Sequence, residues 1–267
     1  SHLKPLNITF SGFFYVSTLR GKLLIGYSIV NPSDLTFARM NWLTSFLTSS
    51  IGRKFIVALT GLFLCTFLVV HMVGNLQLIW GSAEAFNEYT YTMTHNKVIK
   101  IMSYLTYASI LLHAVMAIAV NMANRSARPV DYSVSGASKN SSWASRNMVF
   151  LGVVLLVYIV VHLQNFWYQL KFGHPDMMIT PAHPGGIKDM HTIVVASFQK
   201  EWIVALYVVA MAALSFHMVH GFQSGFQSVG VNHSKYTPLI KNLGIWVFAV
   251  AIPLGFAIVP VAVYFLH

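Results

Sequence analysis

Charged residues are scarce in this chain, and their scarcity excludes an ordinary soluble domain. Only 9% of the 267 residues are Asp, Glu, Lys or Arg, whereas 56% are hydrophobic. Soluble domains carry about 25% charged residues. The composition therefore predicts an integral membrane protein.

Cysteine and acidic residues are scarce too. Cys65 is the only cysteine, which excludes a disulfide framework and any cysteine-ligated zinc or iron–sulfur site. Basic residues outnumber acidic ones by 17 to 7. Such an excess can indicate nucleic-acid binding, but here the basic residues flank apolar segments. We interpret them as topology signals and expect a lipid membrane, not nucleic acid, as the partner.

Five apolar runs are long enough to cross a bilayer, which takes about 20 residues. They cover roughly residues 54–80, 98–123, 147–170, 202–225 and 243–266. Before the first run and in the alternate loops after it lie 12 Lys and Arg residues, against 5 in the other loops. The positive-inside rule then predicts a multi-pass protein with its N-terminus in the cytoplasm and its C-terminus outside.

The segments outside the runs differ in character. Residues 1–39 contain no span, and Met40 would make a natural start, so we interpret 1–39 as an extension of little functional weight and 40–267 as the membrane domain. Residues 81–97 read as partly helical, and the Pro- and Gly-rich stretch 172–191 reads as loop. Pro253 and Pro260 are expected to bend the fifth run.

Four of the runs each carry one histidine deep inside: His71, His113, His162 and His217. Ionisable residues within a bilayer are costly and are functional candidates by default. A single membrane histidine can be a satisfied core residue. Four of them, one on each of four consecutive runs, point instead to ligands.

The depth of each histidine along its span predicts which histidines lie close to each other. His71 lies 18 residues after Arg53, and the other three lie 16 residues after Lys97, Arg146 and Glu201 respectively. Because successive helices run in opposite directions, His71 and His162 fall in the outer half and His113 and His217 in the inner half. Each pair joins alternate helices, which lie diagonally across a four-helix bundle. His220 is a rival for His217, one turn deeper.

Two histidines at each level favour haem over zinc. Structural zinc takes four protein ligands and catalytic zinc usually three, and no Asp, Glu or Cys lies at these depths. A haem supplies four nitrogens itself and needs only axial ligands. The sequence thus predicts two haem b groups in an all-α membrane protein of five transmembrane helices, the first four forming the haem-binding bundle. Small residues such as Thr106, Ser109 and Gly221 could leave room for a porphyrin, although Gly221-x-x-x-Gly225 could equally be close helix packing.

At this point the chain resembles the dihaem cytochrome b membrane anchor of succinate:quinone oxidoreductases, in the b558 branch with a single five-helix subunit. The resemblance spans about residues 40–266. It is carried by the stretch 49–54, by His71 followed by Gly74-Asn75, by the stretch 83–87, and by the remaining three histidines with Gly221. The ordered set, not any one motif, is specific.

This resemblance implies a fold, a role and partners. It implies His71 and His162 as axial ligands of an outer haem, and His113 and His217 of an inner haem. It also implies a flavoprotein subunit, an iron–sulfur subunit and a quinone, commonly menaquinone, that reacts near the outer haem. The chain would carry electrons in a succinate dehydrogenase or fumarate reductase complex without touching succinate itself.

Further site residues follow from position. At the inner face, haem propionates or the iron–sulfur subunit could contact the basic residues Arg53, Lys54, Arg125, Arg128 and Arg146, which serve equally well as topology determinants. Near the outer haem, quinone-binding candidates are the polar or aromatic residues Asn75, Gln77, Trp80, Gln164, Asn165 and Trp167, which could equally form an interfacial belt.

Two alternatives stay open. Another dihaem cytochrome b of a respiratory complex would also hold two haems, but such proteins cluster their ligands on fewer helices. A histidine-containing membrane transporter is the second, although neither an inverted repeat nor a carboxylate relay is visible. One departure from the family also matters: some dihaem quinol:fumarate reductases carry a glutamate two residues before the fourth-helix ligand, where this chain has Ser215.

Overall fold

The computed structural model describes residues 14–19, 22–27, 42, 44–127, 139 and 141–267. The chain divides into two compact units, Ser1–Ser49 and Ser50–His267. The first contains an antiparallel hairpin of β1 (Phe14–Leu19) and β2 (Lys22–Tyr27). The expected domain boundary between residues 39 and 40, and with it Met40, lies outside the described residues, as does Arg128.

The second unit contains five long apolar helices that could span a membrane, as the sequence predicted. They are α1 (Ser50–Trp80), α3 (Lys97–Ser126), α5 (Met148–Phe172), α7 (Glu201–Ser228) and α8 (Thr237–Leu266). Each extends a few residues beyond its apolar run at one end or both, into segments that contain polar or charged residues such as Ser50, Lys171 and Lys241.

Shorter elements lie between the long helices. On the side where α1 ends and α7 begins, which we call the outer end, lie α2 (Ala83–His95), the antiparallel strands β3 (Met177–Thr180) and β4 (His183–Lys188), and α6 (Met190–Phe198). At the opposite, inner end the short helix α4 (Trp143–Arg146) precedes α5. The expectation that 81–97 is partly helical is confirmed, whereas the reading of 172–191 as loop is wrong for Met177–Thr180 and His183–Lys188, which are strands.

Two residues, one within this hairpin and one directly after it, have defined local roles. Gly186 adopts a φ of +82°, a conformation that residues with a side chain rarely take. Asp189 then begins α6 by accepting a hydrogen bond from the backbone N–H of Thr192, at 3.0 Å. Pro and Gly punctuate a chain, but they do not reveal from sequence alone that the pieces between them pair.

The long helices form a ring with one helix beside it. Helix α1 packs along α3 and α7, α5 packs along α7 and more sparsely along α3, and α8 packs against α1 and α7. Helices α1 and α5, and likewise α3 and α7, therefore face each other diagonally. Helix α3 buries only Thr106 and Ser109, and the α-helical part of α5 before Leu163 buries only Leu151, so these two helices have most of their surface free for lipid, a cofactor or a partner.

A buried amide ties the outer elements together. Asn87 of α2 is fully buried, donates to Asp189 at 2.8 Å and accepts from the backbone N–H of His191 at 2.9 Å. Burial would raise the pKa of Asp189, but hydrogen bonds from Thr192 and Asn87 outweigh it and hold that pKa below its usual value. Asn87 thus fixes α2 against the start of α6.

Helix α8 lacks one backbone hydrogen bond, and a side chain of α7 replaces it. Residues Gly244–Ala251 form a π-helical segment that ends just before Pro253. Proline has no backbone N–H, so Pro253 cannot bond the carbonyl of Ala249 four residues earlier. The hydroxyl of Ser215 on α7 donates to that carbonyl instead. An unsatisfied carbonyl in an apolar bundle costs several kcal/mol, so this contact fixes α8 to α7.

The hydrogen bond from Ser215 to the Ala249 carbonyl predicts that the effect of a substitution at Ser215 on stability depends on Pro253. Ser215→Ala should lower the unfolding temperature, since it orphans the Ala249 carbonyl at a cost of about 1–3 kcal/mol. In a Pro253→Ala background the restored N–H should satisfy that carbonyl, so Ser215→Ala should cost much less. Thermal unfolding of the four proteins in detergent or nanodiscs measures the coupling.

Ser197→Ala is the matched control, because the Ser197 hydroxyl only bonds the Ile193 carbonyl of its own helix, at 2.8 Å. Its effect should be small in either background. Strictly additive effects of Ser215→Ala and Pro253→Ala would show that the two residues do not share the Ala249 carbonyl.

Candidate functional site

The four helix-borne histidines meet in two pairs. The rings of His71 and His162, which we call the outer pair, have centroids 5.8 Å apart. The rings of His113 and His217, the inner pair, have centroids 6.4 Å apart. Each pair joins diagonal helices, α1 with α5 and α3 with α7, which is the combination that depth along the sequence indicated.

These separations suit two axial ligands of one metal ion. First-row metals bind histidine nitrogen at about 2 Å, as zinc does, so two imidazoles on opposite sides of one ion have centroids roughly 6 Å apart. In the described part of the chain, no three His, Cys, Asp or Glu side chains gather into a group that could hold a metal ion. Each level offers two protein ligands, and a cofactor that brings its own equatorial ligands fits that number.

The inner pair is partly oriented by the backbone. The His113 Nδ1–H donates to the carbonyl of Val57 at 3.0 Å, and the Thr60 hydroxyl lies 3.2 Å from the same nitrogen. A hydrogen bond from one ring nitrogen to a carbonyl fixes the ring and leaves the other nitrogen, Nε2, free for a metal. On the facing helix the buried Nδ1 of His217 has no hydrogen-bond partner among the described residues. Buried polar atoms are rarely left so, and a bound group would account for it.

Two glycines lie close to the inner pair. A Cβ at Gly61 would lie 2.9 Å from His113 Cε1, and one at Gly221 would lie 3.0 Å from Met148 Cε and 3.8 Å from His217 Cδ2. Gly221 therefore serves close packing between α7 and α5, so that reading is confirmed. A Cβ there would meet His217 at an ordinary contact distance, and the reading as space for a porphyrin stays a prediction.

The outer pair lies among aromatic rings. Phe67 stacks on His71 at 5.1 Å, and the Tyr207 hydroxyl lies 3.2 Å from His162 Nδ1. The amide of Asn75 donates to the His71 carbonyl at 2.7 Å and also lies 3.3 Å from His71 Nδ1. Directly after His162 the helix becomes a π-helix over Leu163–Tyr168, a distortion that is frequent at functional sites.

Two site residues escaped the sequence reasoning. Tyr207 contacts His162 from α7, and a search for polar groups at the depth of the outer pair would have found it. The Val57 carbonyl could not have been found, because every residue has one and only the packing of α1 against α3 selects it. The ring of His113 contacts that of His217, whereas the rival His220 lines a cavity with Ser145 and Gln223.

The basic candidates lie at the inner end. Arg53 and Lys54 of α1 line a small crevice against Ala123 of α3. Arg125 is exposed near the end of α3, and the Arg146 guanidinium donates to the carbonyl of Ser141. The described carboxylates all belong to segments of the outer end or to the first residue of α7: Glu84, Glu88, Asp176, Asp189 and Glu201.

The six quinone candidates form two groups. Asn75, Gln77 and Trp80 lie on the last turns of α1, where Trp80 is 69% exposed. Gln164, Asn165 and Trp167 lie in the π-helical segment of α5. Among the described residues, no hydrogen bond or ring contact joins one group to the other. If both groups belong to one quinone site, the quinone itself would have to contact each group.

No protein family model, no curated protein and no solved structure matches this chain. The functional argument therefore depends on the sequence pattern and on the geometry of the two histidine pairs.

Gly61→Ala tests the tight packing around His113. Alanine normally stabilises a helix by about 1 kcal/mol over glycine, but here the new methyl group should push the imidazole away from Val57 and destabilise the protein by about 1–3 kcal/mol. The apparent free energy of unfolding of the variant, compared with that of the wild type, shows whether the substitution stabilises or destabilises the protein. Gly152→Ala is the control, since its Cβ would lie an ordinary 3.8 Å from His217 Cε1; equal effects at both positions would contradict the contact.

Proposed function

We propose that the chain is the membrane anchor and electron-transfer subunit of a succinate:menaquinone oxidoreductase or quinol:fumarate reductase. The observation that carries this proposal is the meeting of four histidines from four consecutive spans in two diagonal pairs, with ring separations suited to two axial ligands each. A haem b at each pair would supply one-electron redox chemistry on both sides of the bilayer.

The residues around each pair have defined tasks in this proposal. Neutral imidazoles are ligands that an apolar bundle tolerates, since they bring no charge into it. The Val57 carbonyl orients the ring of His113, and the Tyr207 hydroxyl orients the ring of His162. Phe67 and Phe256 pack on His71 and exclude water from the outer pair.

The two ends of the bundle suit different partners. The inner end carries exposed or partly exposed Arg53, Lys54, Arg125 and Arg146 and, among the described residues, no carboxylate. We assign it to docking of the iron–sulfur subunit, which sits with the flavoprotein subunit on the cytoplasmic side. The outer end, with Asn75 and Gln77 beside the outer pair, is assigned to the quinone.

Both alternatives are less well supported by the arrangement. Another dihaem cytochrome b would draw its ligands from fewer helices, whereas here each of four spans contributes one histidine. A transporter that moves protons through histidines would leave them facing water or a carboxylate. Instead the two histidines of each pair face each other, and the spans contain no acidic residue beyond Glu201 in the first turn of α7.

A visible difference spectrum tests the proposal directly. The purified protein, reduced with dithionite, should show two b haems per chain, because each pair binds one. His71→Ala and His113→Ala should each leave one haem, and the double variant none. His233→Ala, which changes an exposed loop histidine at the inner end, should leave both. A folded protein without haem would refute the proposal and put the transporter first.

The absence of a buried carboxylate in α7 yields a second prediction. Ser215 stands where a proton-carrying glutamate could compensate electron movement, and its hydroxyl is already bonded to Ala249. Electron transfer between the two faces should then be uncompensated and should respond to membrane potential, at about 2.3 kcal/mol per charge for each 100 mV crossed in full. Turnover of the complex in proteoliposomes should therefore change when a potential is imposed and return when an ionophore collapses it. Turnover that ignores the potential would contradict this.

A further inference from the structure

The β3–β4 hairpin of the outer end has apolar side chains on both of its faces. One face packs on the protein, where Ile187 is only 2% exposed and Met178 accepts a hydrogen bond from the Asn87 amide at 3.4 Å. The other face exposes the side chains of Met177, at 57%, and Ile179, at 74%. An antiparallel sheet with one face in water normally carries polar residues on that face. The exposed face of this hairpin therefore suits an apolar surrounding.

The polar side chains of the hairpin turn towards the protein instead. The Thr180 hydroxyl donates to the Glu88 carboxylate of α2 and accepts from the backbone N–H of His183 at 3.2 Å. His183 Nε2 lies 3.1 Å from the other oxygen of Glu88. No Asp, Glu, Lys or Arg stands between Asp176 and Lys188 in the sequence. Exposed sheet edges in water usually carry such charges, because an uncharged edge invites aggregation.

The hairpin begins at the level of the last turn of α5. The Lys188 ammonium donates to the carbonyl of Leu170 on that helix, at 2.5 Å. Met177 is the cross-strand partner of Lys188, and such partners have Cα atoms about 5 Å apart. Because α5 is one of the five candidate spans, the exposed side chain of Met177 lies close to the end of a span.

Aromatic residues mark the same turn of α5 as a membrane interface. Phe172 is 61% exposed, and its ring lies 5.3 Å from that of Tyr168 and 5.7 Å from that of Trp167. Lys171 is exposed beside them. Trp and Tyr are enriched where hydrocarbon meets headgroups, and lysines near helix ends extend to that level. The hairpin thus begins where the apolar interior of the bilayer ends.

The backbone limits how deep the hairpin can lie. Strand β4 pairs with β3 and packs on α2, so the far edge of β3 has no strand partner among the described residues. Open sheet edges do not occur in the hydrocarbon region, because nothing there bonds their N–H and C=O groups. Headgroups and interfacial water do bond them. The headgroup boundary therefore suits both the apolar side chains and the free backbone groups.

We propose that the β3–β4 hairpin is an interfacial lipid-binding element, whose Met177 and Ile179 insert into the headgroup boundary of the leaflet at the outer end. It extends the lipid contact of the chain beyond the five spans and holds the outer elements against the bilayer surface. The proposal depends on the hairpin alone and not on the proposed function.

A nitroxide label on the full chain in phosphatidylcholine and phosphatidylglycerol vesicles tests this position. Cys65 is the only cysteine and is buried, so Ile179→Cys in a Cys65→Ala background gives one labelled site. Collisions with oxygen, which concentrates in lipid, are compared with collisions with a water-soluble nickel chelate. Leu111→Cys, at a position 67% exposed in the middle of α3, is the lipid reference. Glu84→Cys, at an exposed carboxylate of α2, is the water reference.

The ratio of oxygen to nickel collisions should be several-fold higher for Ile179→Cys than for Glu84→Cys, and should approach that of Leu111→Cys. A ratio equal to the water reference would place β3 in water and overturn the proposal. Few collisions with either reagent would show that protein covers the hairpin, as in a dimer of this chain, and would overturn it too.

A charge variant gives a second, label-free measurement. Ile179→Asp should speed hydrogen exchange of the backbone amides of 177–188 several-fold in nanodiscs, because a carboxylate draws β3 away from the acyl chains. Ile179→Leu is the matched control and should leave the exchange unchanged, since it keeps an apolar side chain of the same size. Equal exchange in the two variants would contradict lipid insertion.

Discussion

The fold depends on one constraint, which is that polar groups inside an apolar bundle must find a partner within the protein. No water is present at that depth to hydrogen-bond them, and each unsatisfied group costs several kcal/mol. Ser215 meets the constraint for the Ala249 carbonyl, which Pro253 leaves without a donor. The histidine pairs meet it only in part, since His217 Nδ1 stays unpartnered among the described residues. The protein itself thus satisfies the Ala249 carbonyl, whereas His217 Nδ1 would need a bound group as its partner.

The long helices also differ in how many of their residues they bury. Helices α7, α1 and α8 pack against each other, and α3 packs along α1 and α5 along α7, whereas α3 and α5 bury few residues and contact each other only sparsely. Van der Waals packing holds membrane helices together, because lipid tails are as apolar as the side chains. Helices α3 and α5, which each contribute one histidine to a different pair, would gain such packing from the flat cofactors proposed for the two pairs.

The sequence predicted what depends on hydropathy and helix length, and little that depends on side-chain partners. Five spans follow from apolar runs, and the pairing of His71 with His162 follows from a constant rise per residue. The β3–β4 hairpin was missed because the prolines and glycines of 172–191 predict turns but do not show that the segments between them pair. The bond from Ser215 to Ala249 joins residues 34 positions apart, and no local pattern encodes such a distance.

Helix α7 links the two levels of the bundle. The hydroxyl of Tyr207 lies 3.2 Å from His162 of the outer pair, and ten residues later, a rise of about 15 Å, His217 belongs to the inner pair. The same helix is fixed to α8 by Ser215, two residues before His217, and by the stacking of Phe222 on Phe248 with ring centroids 4.3 Å apart. A rotation of α7 against α8 would therefore displace a group at both pairs together. Helix α8, which contributes no histidine, thus positions α7 and also contacts His71 of the outer pair through Phe256.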